Sequence, residues 1–324
     1  MGRATHRHED LWRRTLDDFL ALKRPRTQVK YAEAAAEWVK FLAAKDILKA
    51  TDGDAARWAK KLEDCAGYGG TRLSRSTVYH KLAVVKQLYA ILQEQGKVKH
   101  NPLSHVLQAY RGAQNGNGLQ KRPTELVPLH LVPKILVAPP DTTKEGRRDR
   151  CYLALLFGCA LRNGEAAALT VGDVRATKSG ELALFLRQTK NHTDAIQPVP
   201  SSVRAAIEAY VQTRRDEGAT ATDPLLVAYY AHKNPSRRHI DQRQLQRLFG
   251  RWMSECGVPG RVTPHSARAT AITLLLEMGL PHREVRKFSR HSSIAMVERY
   301  DKLRDVGAEV VAQQIDYSKK IGND

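Results

Sequence analysis

Between Thr263 and Tyr300 one run of the chain carries His265, Arg268, His291 and Tyr300: two imidazoles, a guanidinium and a phenol. Cleaving a phosphodiester without a metal calls for such a set, with a nucleophile, a cation for the nonbridging oxygens and a group that moves protons. On a helix His265 and Arg268 stand at i and i+3 and share one face, so both can contact one small anion. His291 and Tyr300 lie in a later segment anchored by Ile294, Met296 and Val297, which puts the phenol near the exposed edge of a packed element. Each residue alone also has an ordinary reading, as a surface or core histidine or a packed tyrosine. The order and spacing carry the argument.

The composition fits a polyanionic partner. At 324 residues the chain can form two domains with separate cores. A formal net charge of +19 repels itself in a folded protein and is complementary to nucleic acid. The basic residues are spread along the chain rather than gathered in one juxtamembrane cluster or amphipathic helix, which favours nucleic acid over a membrane surface. Cys65, Cys151, Cys159 and Cys256 form no C-x-x-C pair, so neither a zinc knuckle nor a disulfide framework is indicated, and a reduced, intracellular protein is expected. No apolar leader and no window of membrane-spanning length is present in the sequence, so a soluble, cytoplasmic, nucleoid-associated protein is expected.

The elements that must position the reactive groups can be read in order. Residues 11 to about 110 read as helical: Tyr31, Ala34, Ala35, Trp38, Phe41 and Leu42 recur at helical spacing. Asp52-Gly53-Asp54 reads as a turn before a short helix from Ala55 to Leu62. Ser74 or Ser76 then caps a longer helix with a Val78, Leu82, Val85, Tyr89, Leu92 stripe that ends at Gly96. Arg75, Lys81 and Lys86 decorate it as candidate phosphate contacts, with a solvated face as the other reading. Residues 111–123 have the Gly/Asn/polar composition of a linker. The division is therefore a helical domain over 1–112, a linker over 113–127 and a second domain over 128–324.

In the second domain an apolar helix, Tyr152 to Gly158, leads into Arg162, which is presented at a helix end. Leu182–Leu186 and 195–199 read as strands, and the turn between them puts Lys190 at a hairpin tip, where an ordinary surface lysine is the alternative. Ser201-Ser202 caps a helix to about Arg215. Asp241 begins another whose Leu245, Leu248, Phe249 and Trp252 face the core. Arg243, Arg247 and Arg251 lie on a different face, and Arg237 and Arg238 precede them, together suiting a DNA backbone or groove. The fold class is mainly α with a small antiparallel β-sheet.

Three boxes in this order resemble the tyrosine recombinase (phage integrase) family. They are Ala160-Leu161-Arg162-Asn163-Gly164-Glu165, the hairpin around Lys190, and His265-Ser266-Ala267-Arg268 followed by Arg290-His291 and Glu298-Arg299-Tyr300. Two positions depart from the family pattern: Ser289-Arg290 stands where Leu-Gly is usual, and Ala160 where Gly is usual. The resemblance implies a simple two-domain, Xer- or resolvase-like recombinase, with a SAM-like core-binding domain and an α+β catalytic domain that close around a duplex. Too few residues precede the first expected helix for an added arm-binding domain.

It further implies that Tyr300 forms a 3′-phosphotyrosyl bond, while Arg162 and Arg268 grip the phosphate in bidentate fashion. His265 moves a proton near the nucleophile, and His291 bonds a nonbridging oxygen. Lys190, its pKa lowered by the guanidiniums, protonates the departing 5′-oxygen, and Glu165 orients a neighbour. No cofactor is expected, since no nucleotide-binding Gly-rich loop is present and no acidic cluster suggests a two-metal nuclease. The implied partners are double-stranded DNA with paired recognition arms and further copies of the chain: a monomer free, a tetramer on DNA, with the helix after Tyr300 docking on a neighbour, and no membrane. A type IB topoisomerase and a non-catalytic DNA-binding regulator on the same scaffold are the rival readings.

Overall fold

A computed structural model describes residues 2–43, 45–65, 72–115, 124–187, 194–229, 235 and 238–301. Lys190, Arg237 and the expected docking helix beyond Tyr300 lie outside the described residues. The chain divides into two compact units, Met1–Arg122 and Pro123–Asp324.

The first unit is helical throughout its described part: α1 (Gly2–Ala21), α2 (Pro25–Leu42), α3 (Asp52–Asp64), α4 (Arg75–Glu94) and α5 (Ser104–Asn115). Helix α1 begins at Gly2, well before residue 11. The Asp52-Gly53-Asp54 turn expected from sequence is instead the first turn of α3. Thr51 caps it, and the Asp54 carboxylate accepts the Thr51 N–H at 2.8 Å, so an acidic pair belongs to the helix start. Ser74 is the α4 cap, accepting the Thr77 N–H, and Gly96 turns the chain at φ 67. The aromatic stripe of α2 drives the core: Trp38 packs on Trp58 with ring centroids 5.0 Å apart. Its indole N–H donates to the Tyr89 hydroxyl at 3.1 Å, and that hydroxyl donates to the Ile47 carbonyl at 2.6 Å. Helix α5 runs to Asn115 and so overlaps the expected start of the linker.

The second unit contains α6 (Val132–Val137), α7 (Lys144–Phe157), α8 (Asn163–Ala168), β1 (Val174–Ala176), β2 (Leu182–Leu186), β3 (Ala195–Pro198), α9 (Ser201–Asp216), α10 (Gln242–Glu255), α11 (Pro264–Glu277), α12 (His282–Ser289) and α13 (Ile294–Asp301). Val127, within the 113–127 linker expected from sequence, is buried here with its N–H on Thr270 Oγ1 at 2.9 Å. Pro200, rather than Ser201, is the cap of α9. The strands form one antiparallel sheet in the order β1-β2-β3, with Leu184 opposite both Val174 and Gln197. Three residues are too few for β1 to show an alternation in sequence.

Helix α7 lies at the centre of the main core, and α11 joins that core to a smaller cluster. Ala267 faces the main core, while Ala269, Ile272 and Leu276 pack with Val285 of α12 and with Val297 and Tyr300 of α13. A helix wrapped by protein on both sides needs small residues at its close approaches, which Ala267, Ala269 and Ala271 supply.

A buried acid ties α7 to α10. Asp149, 1% exposed, accepts hydrogen bonds from the Trp252 indole and from Arg251, both at 2.9 Å, and pairs with Arg148. Arg251, expected on a DNA-facing arginine ladder, is therefore engaged within the fold. Replacing Asp149 with Ala leaves Arg148 buried without its acid, and urea unfolding should show a loss of about 3 kcal/mol or more. A loss under about 1 kcal/mol would mean that this acid does not hold the two helices together.

Candidate active site

Arg162 follows α7 through a tight turn. Ala160 takes up φ 48, a left-handed conformation that a non-glycine residue adopts only when its surroundings enforce it. Arg162 is then the N-cap of α8. Glu165, one turn on, accepts the Arg162 backbone N–H at 2.9 Å and its guanidinium at 2.5 Å, so one carboxylate both starts the helix and aims the side chain. Arg162 keeps 28% of its side chain exposed.

His265 and Arg268 come from the first two turns of α11, whose N-cap Thr263 donates its N–H to the Ser266 hydroxyl. The i and i+3 positions have opposite environments. His265 keeps an exposed edge, whereas Arg268 is fully buried. The Arg268 guanidinium donates to the carbonyls of Ala160 and Ser289, and its Nη2 lies 3.4 Å from His291 Nε2. It thereby joins the turn before α8 to the turn after α12. Burial, then the Arg162 charge, lowers the Arg268 pKa to about 10, which leaves it a cation at neutral pH.

His291 is 7% exposed and neutral. Burial first, and then the charges of Arg268 and Arg162, push its pKa from 6.5 to about 3. Its tautomer is set by Ser289, whose hydroxyl donates to the Val285 carbonyl at 2.6 Å and so presents a lone pair to His291 Nδ1 at 2.8 Å. Nδ1 carries the proton, and Nε2 faces Arg268 as an acceptor. In this state His291 cannot donate from Nε2 to a phosphate oxygen, as the sequence reading expected.

Tyr300, expected at an exposed edge, is 9% exposed and packs in the small cluster, while the expected anchor Ile294 is 42% exposed and Val297 is buried. The Tyr300 hydroxyl is 3.5 Å from His265 Nε2, at the outer limit for a hydrogen bond and within the range that tightens when substrate binds. Desolvation outweighs the charges of Arg268, Arg162 and Arg299, so the phenol is held above its ordinary pKa and protonated. Desolvation, then Arg268 and Arg162, holds His265 below its ordinary value and thus able to take a proton.

The fold therefore brings Arg162, His265, Arg268, His291 and Tyr300 into one cationic cluster with Glu165 and Arg290. Donors are in excess there. Arg268 Nε, Arg290 Nε and Gln197 Nε2 are buried without an acceptor among the described residues. An acceptor-rich anion with several oxygens matches that surplus. Among the described residues no group of three His, Cys, Asp or Glu side chains is arranged to hold a metal ion. Sequence reasoning missed Ser289 as the group that orients His291, and Gln197 altogether. The only signal was the departure at Ser289-Arg290.

The DNA-contact candidates fare unevenly. In the first unit Lys81 is held by both oxygens of Glu37 at 2.5 Å, which removes it from the free cations. Arg75 lies 5.2 Å above the Tyr110 ring. The side chains of Lys86, Arg243 and Arg247 make no hydrogen bond or ion pair among the described residues, and Arg243, Arg247 and Arg238 are exposed.

The His291 shift has a consequence for stability. The unfolded chain takes up this proton below pH 6.5 and the folded one only near 3, so stability falls as pH drops through that window. The His291→Asn variant should lose less in thermal midpoint than the parent between about pH 7 and about pH 5. Equal losses would mean that the folded ring protonates freely.

Residues 130–306 match the family described as the phage integrase family. The tyrosine recombinase XerC of Pelobacter propionicus is 26% identical over 282 residues, covering 85% of this chain and 84% of its own. The tyrosine recombinase XerC of Chlorobaculum tepidum is 29% identical over 249 residues, covering 71% of each chain. Among solved structures, the Tn1549 transposon integrase in complex with circular intermediate DNA superimposes with a TM-score of 0.68 at 16% identity, over 94% of this chain and 98% of that one. A lambda integrase dimer bound to a core site gives 0.65 at 14% identity, over 92% and 96%. The likeness in structure is one of fold. With its match spanning more than half of the 324 residues, this chain belongs to the phage integrase family.

Proposed function

We propose that the protein is a site-specific DNA recombinase that cuts and rejoins DNA through a tyrosine. The observation that carries this reading is the Tyr300 hydroxyl 3.5 Å from the neutral His265 imidazole, beside two guanidiniums. His265 takes the phenol proton as the Tyr300 oxygen attacks phosphorus. Arg162 holds a nonbridging oxygen, the buried Arg268 adds its charge from behind while its Nη donors stay on the Ala160 and Ser289 carbonyls, and the field of the bound phosphate lets His291 protonate and bond a second oxygen. The 5′-oxygen leaves with a proton from Lys190, assigned from the sequence alone, and a 3′-phosphotyrosyl bond remains. A 5′-hydroxyl, deprotonated as it attacks, reverses the step and releases the tyrosine, so the linkage energy is conserved without a nucleotide.

The surrounding assembly is part of the same proposal. The net charge of +19 and the exposed Arg243 and Arg247 favour a duplex as substrate. One related structure is a lambda integrase tetramer bound to a Holliday junction. By analogy, four copies of this chain would act on two paired-arm sites, in the cytoplasm, with the 1–112 region as a core-binding domain and the chain after Tyr300 reaching a neighbour. Chromosome or plasmid resolution and transposon movement are the processes this chemistry serves.

Incubating the protein with a library of nicked duplexes, then isolating and sequencing covalent adducts, should recover a defined two-arm site. The Tyr300→Phe variant should bind the same duplexes and form no adduct. Adducts that survive this change would remove Tyr300 from the mechanism, and adducts scattered over all sequences would favour a topoisomerase. For Lys190, the Lys190→Ala variant should cleave a normal phosphodiester at least about 100-fold more slowly. It should regain most of its rate on a substrate whose leaving oxygen is replaced by sulfur, because a thiolate departs without a proton. Equal defects on both substrates would assign the acid elsewhere.

A further inference from the structure

Arg290 is a third guanidinium at this site, in an unusual backbone position. It is the C-cap of α12 at φ 56, ψ 41, a left-handed conformation where glycine would meet no steric penalty and an arginine is strained. Its side chain is only 10% exposed. Nη2 donates to Glu165 Oε2 at 2.8 Å, while Nη1 donates to Gln197 Oε1 and to the Phe288 carbonyl at 3.2 Å. One side chain thus links α12 to α8 and to β3, and Gln197 is itself 1% exposed.

These contacts change the charge at the phosphate-binding groups. Glu165 is the acid that aims Arg162, and a carboxylate free of other partners would close fully on that guanidinium and offset its charge. Arg290 also donates to Glu165 Oε2, so the carboxylate is shared. With Arg268 the cluster holds three guanidiniums against one carboxylate, a net of two positive charges instead of one. Burial by itself would raise the Glu165 carboxyl, but the Arg290 charge leads the effects that outweigh it, ahead of the Arg162 contacts, and leaves the acid below its ordinary range.

We propose that Arg290 is a positioning residue for DNA cleavage: by sharing Glu165 and anchoring Gln197, it keeps that carboxylate from fully pairing with the Arg162 guanidinium, which stays aimed at the scissile phosphate. The inference rests on the recombinase reading for the reaction it assists. It also explains why a left-handed arginine persists, since its bonds to Glu165 and Gln197 offset the backbone strain.

The test uses the full chain and the duplex recovered from the adduct screen. Single-turnover adduct formation with saturating protein should slow roughly tenfold in Arg290→Gly, with duplex affinity unchanged. The thermal midpoint should not drop in parallel with the rate, because glycine relieves the strained φ. Arg290→Lys, which keeps the charge but cannot reach both partners, should recover part of the rate and serves as the folded control should the glycine variant fail to fold. In a Glu165→Gln background, Arg290→Gly should have little further effect, since the two act through one carboxylate. An undiminished rate in both Arg290 variants, or losses that simply add in the double variant, would overturn the proposal. If the parent protein forms no adduct on any duplex, the recombinase reading has failed. The Arg290 contact is then judged by carbon-13 titration of Glu165 in DNA-free protein, which should move to higher pH in Arg290→Gly; an unmoved titration overturns it.

Discussion

The site depends on a single buried cation. Arg268 has no exposed surface and, among the described residues, no carboxylate bonded directly to it, and it is held by two backbone carbonyls, those of Ala160 and Ser289. A buried guanidinium is tolerated only when its donors find acceptors. Here the acceptors are supplied by the two turns that carry the other reactive groups. The Ala160 turn leads directly into Arg162, and Ser289 precedes Arg290 and His291. The left-handed residues Ala160 and Arg290 sit at those same two places. Backbone strain and buried charge support each other: the turns are strained so that their carbonyls meet Arg268, and Arg268 keeps the turns from relaxing.

The same cation sets the protonation states around it. Burial first, and then the positive charge of Arg268 and Arg162, disfavours imidazolium, so His265 and His291 are both neutral in the free protein. In the free protein His291 is thus an acceptor toward Arg268, while His265 keeps an exposed edge 3.5 Å from the Tyr300 hydroxyl. Preorganised charge of this kind acts without reorganisation during the reaction, which is where such sites gain most of their rate.

Much of the fold could be read from local pattern. The α4 stripe, the α10 stripe and the Ser74 and Asp241 caps follow from side-chain chemistry within one or two turns, and the structure retains them. Errors came where local and long-range signals competed. Asp52-Gly53-Asp54 has turn composition, yet Thr51 and Asp54 form a capping pair that starts a helix. Arg251 and Lys81 look like free cations in sequence, yet Asp149 and Glu37, distant along the chain, neutralise them. Helix α11 has no apolar face because it is enclosed on nearly all sides, and its place at the centre of the unit cannot be inferred from periodicity.

The amino-acid order determined the kind of chemistry, because His265-Ser-Ala-Arg268, Arg290-His291 and Tyr300 bring their functional groups with them wherever they fold. Tertiary structure decided their states and their division of labour. Which arginine is buried and which acid is shared by Arg162 and Arg290 depend on groups more than a hundred residues apart in the chain and a few ångströms apart in space. Protonation and aim are properties of that surrounding field, which the primary sequence does not contain.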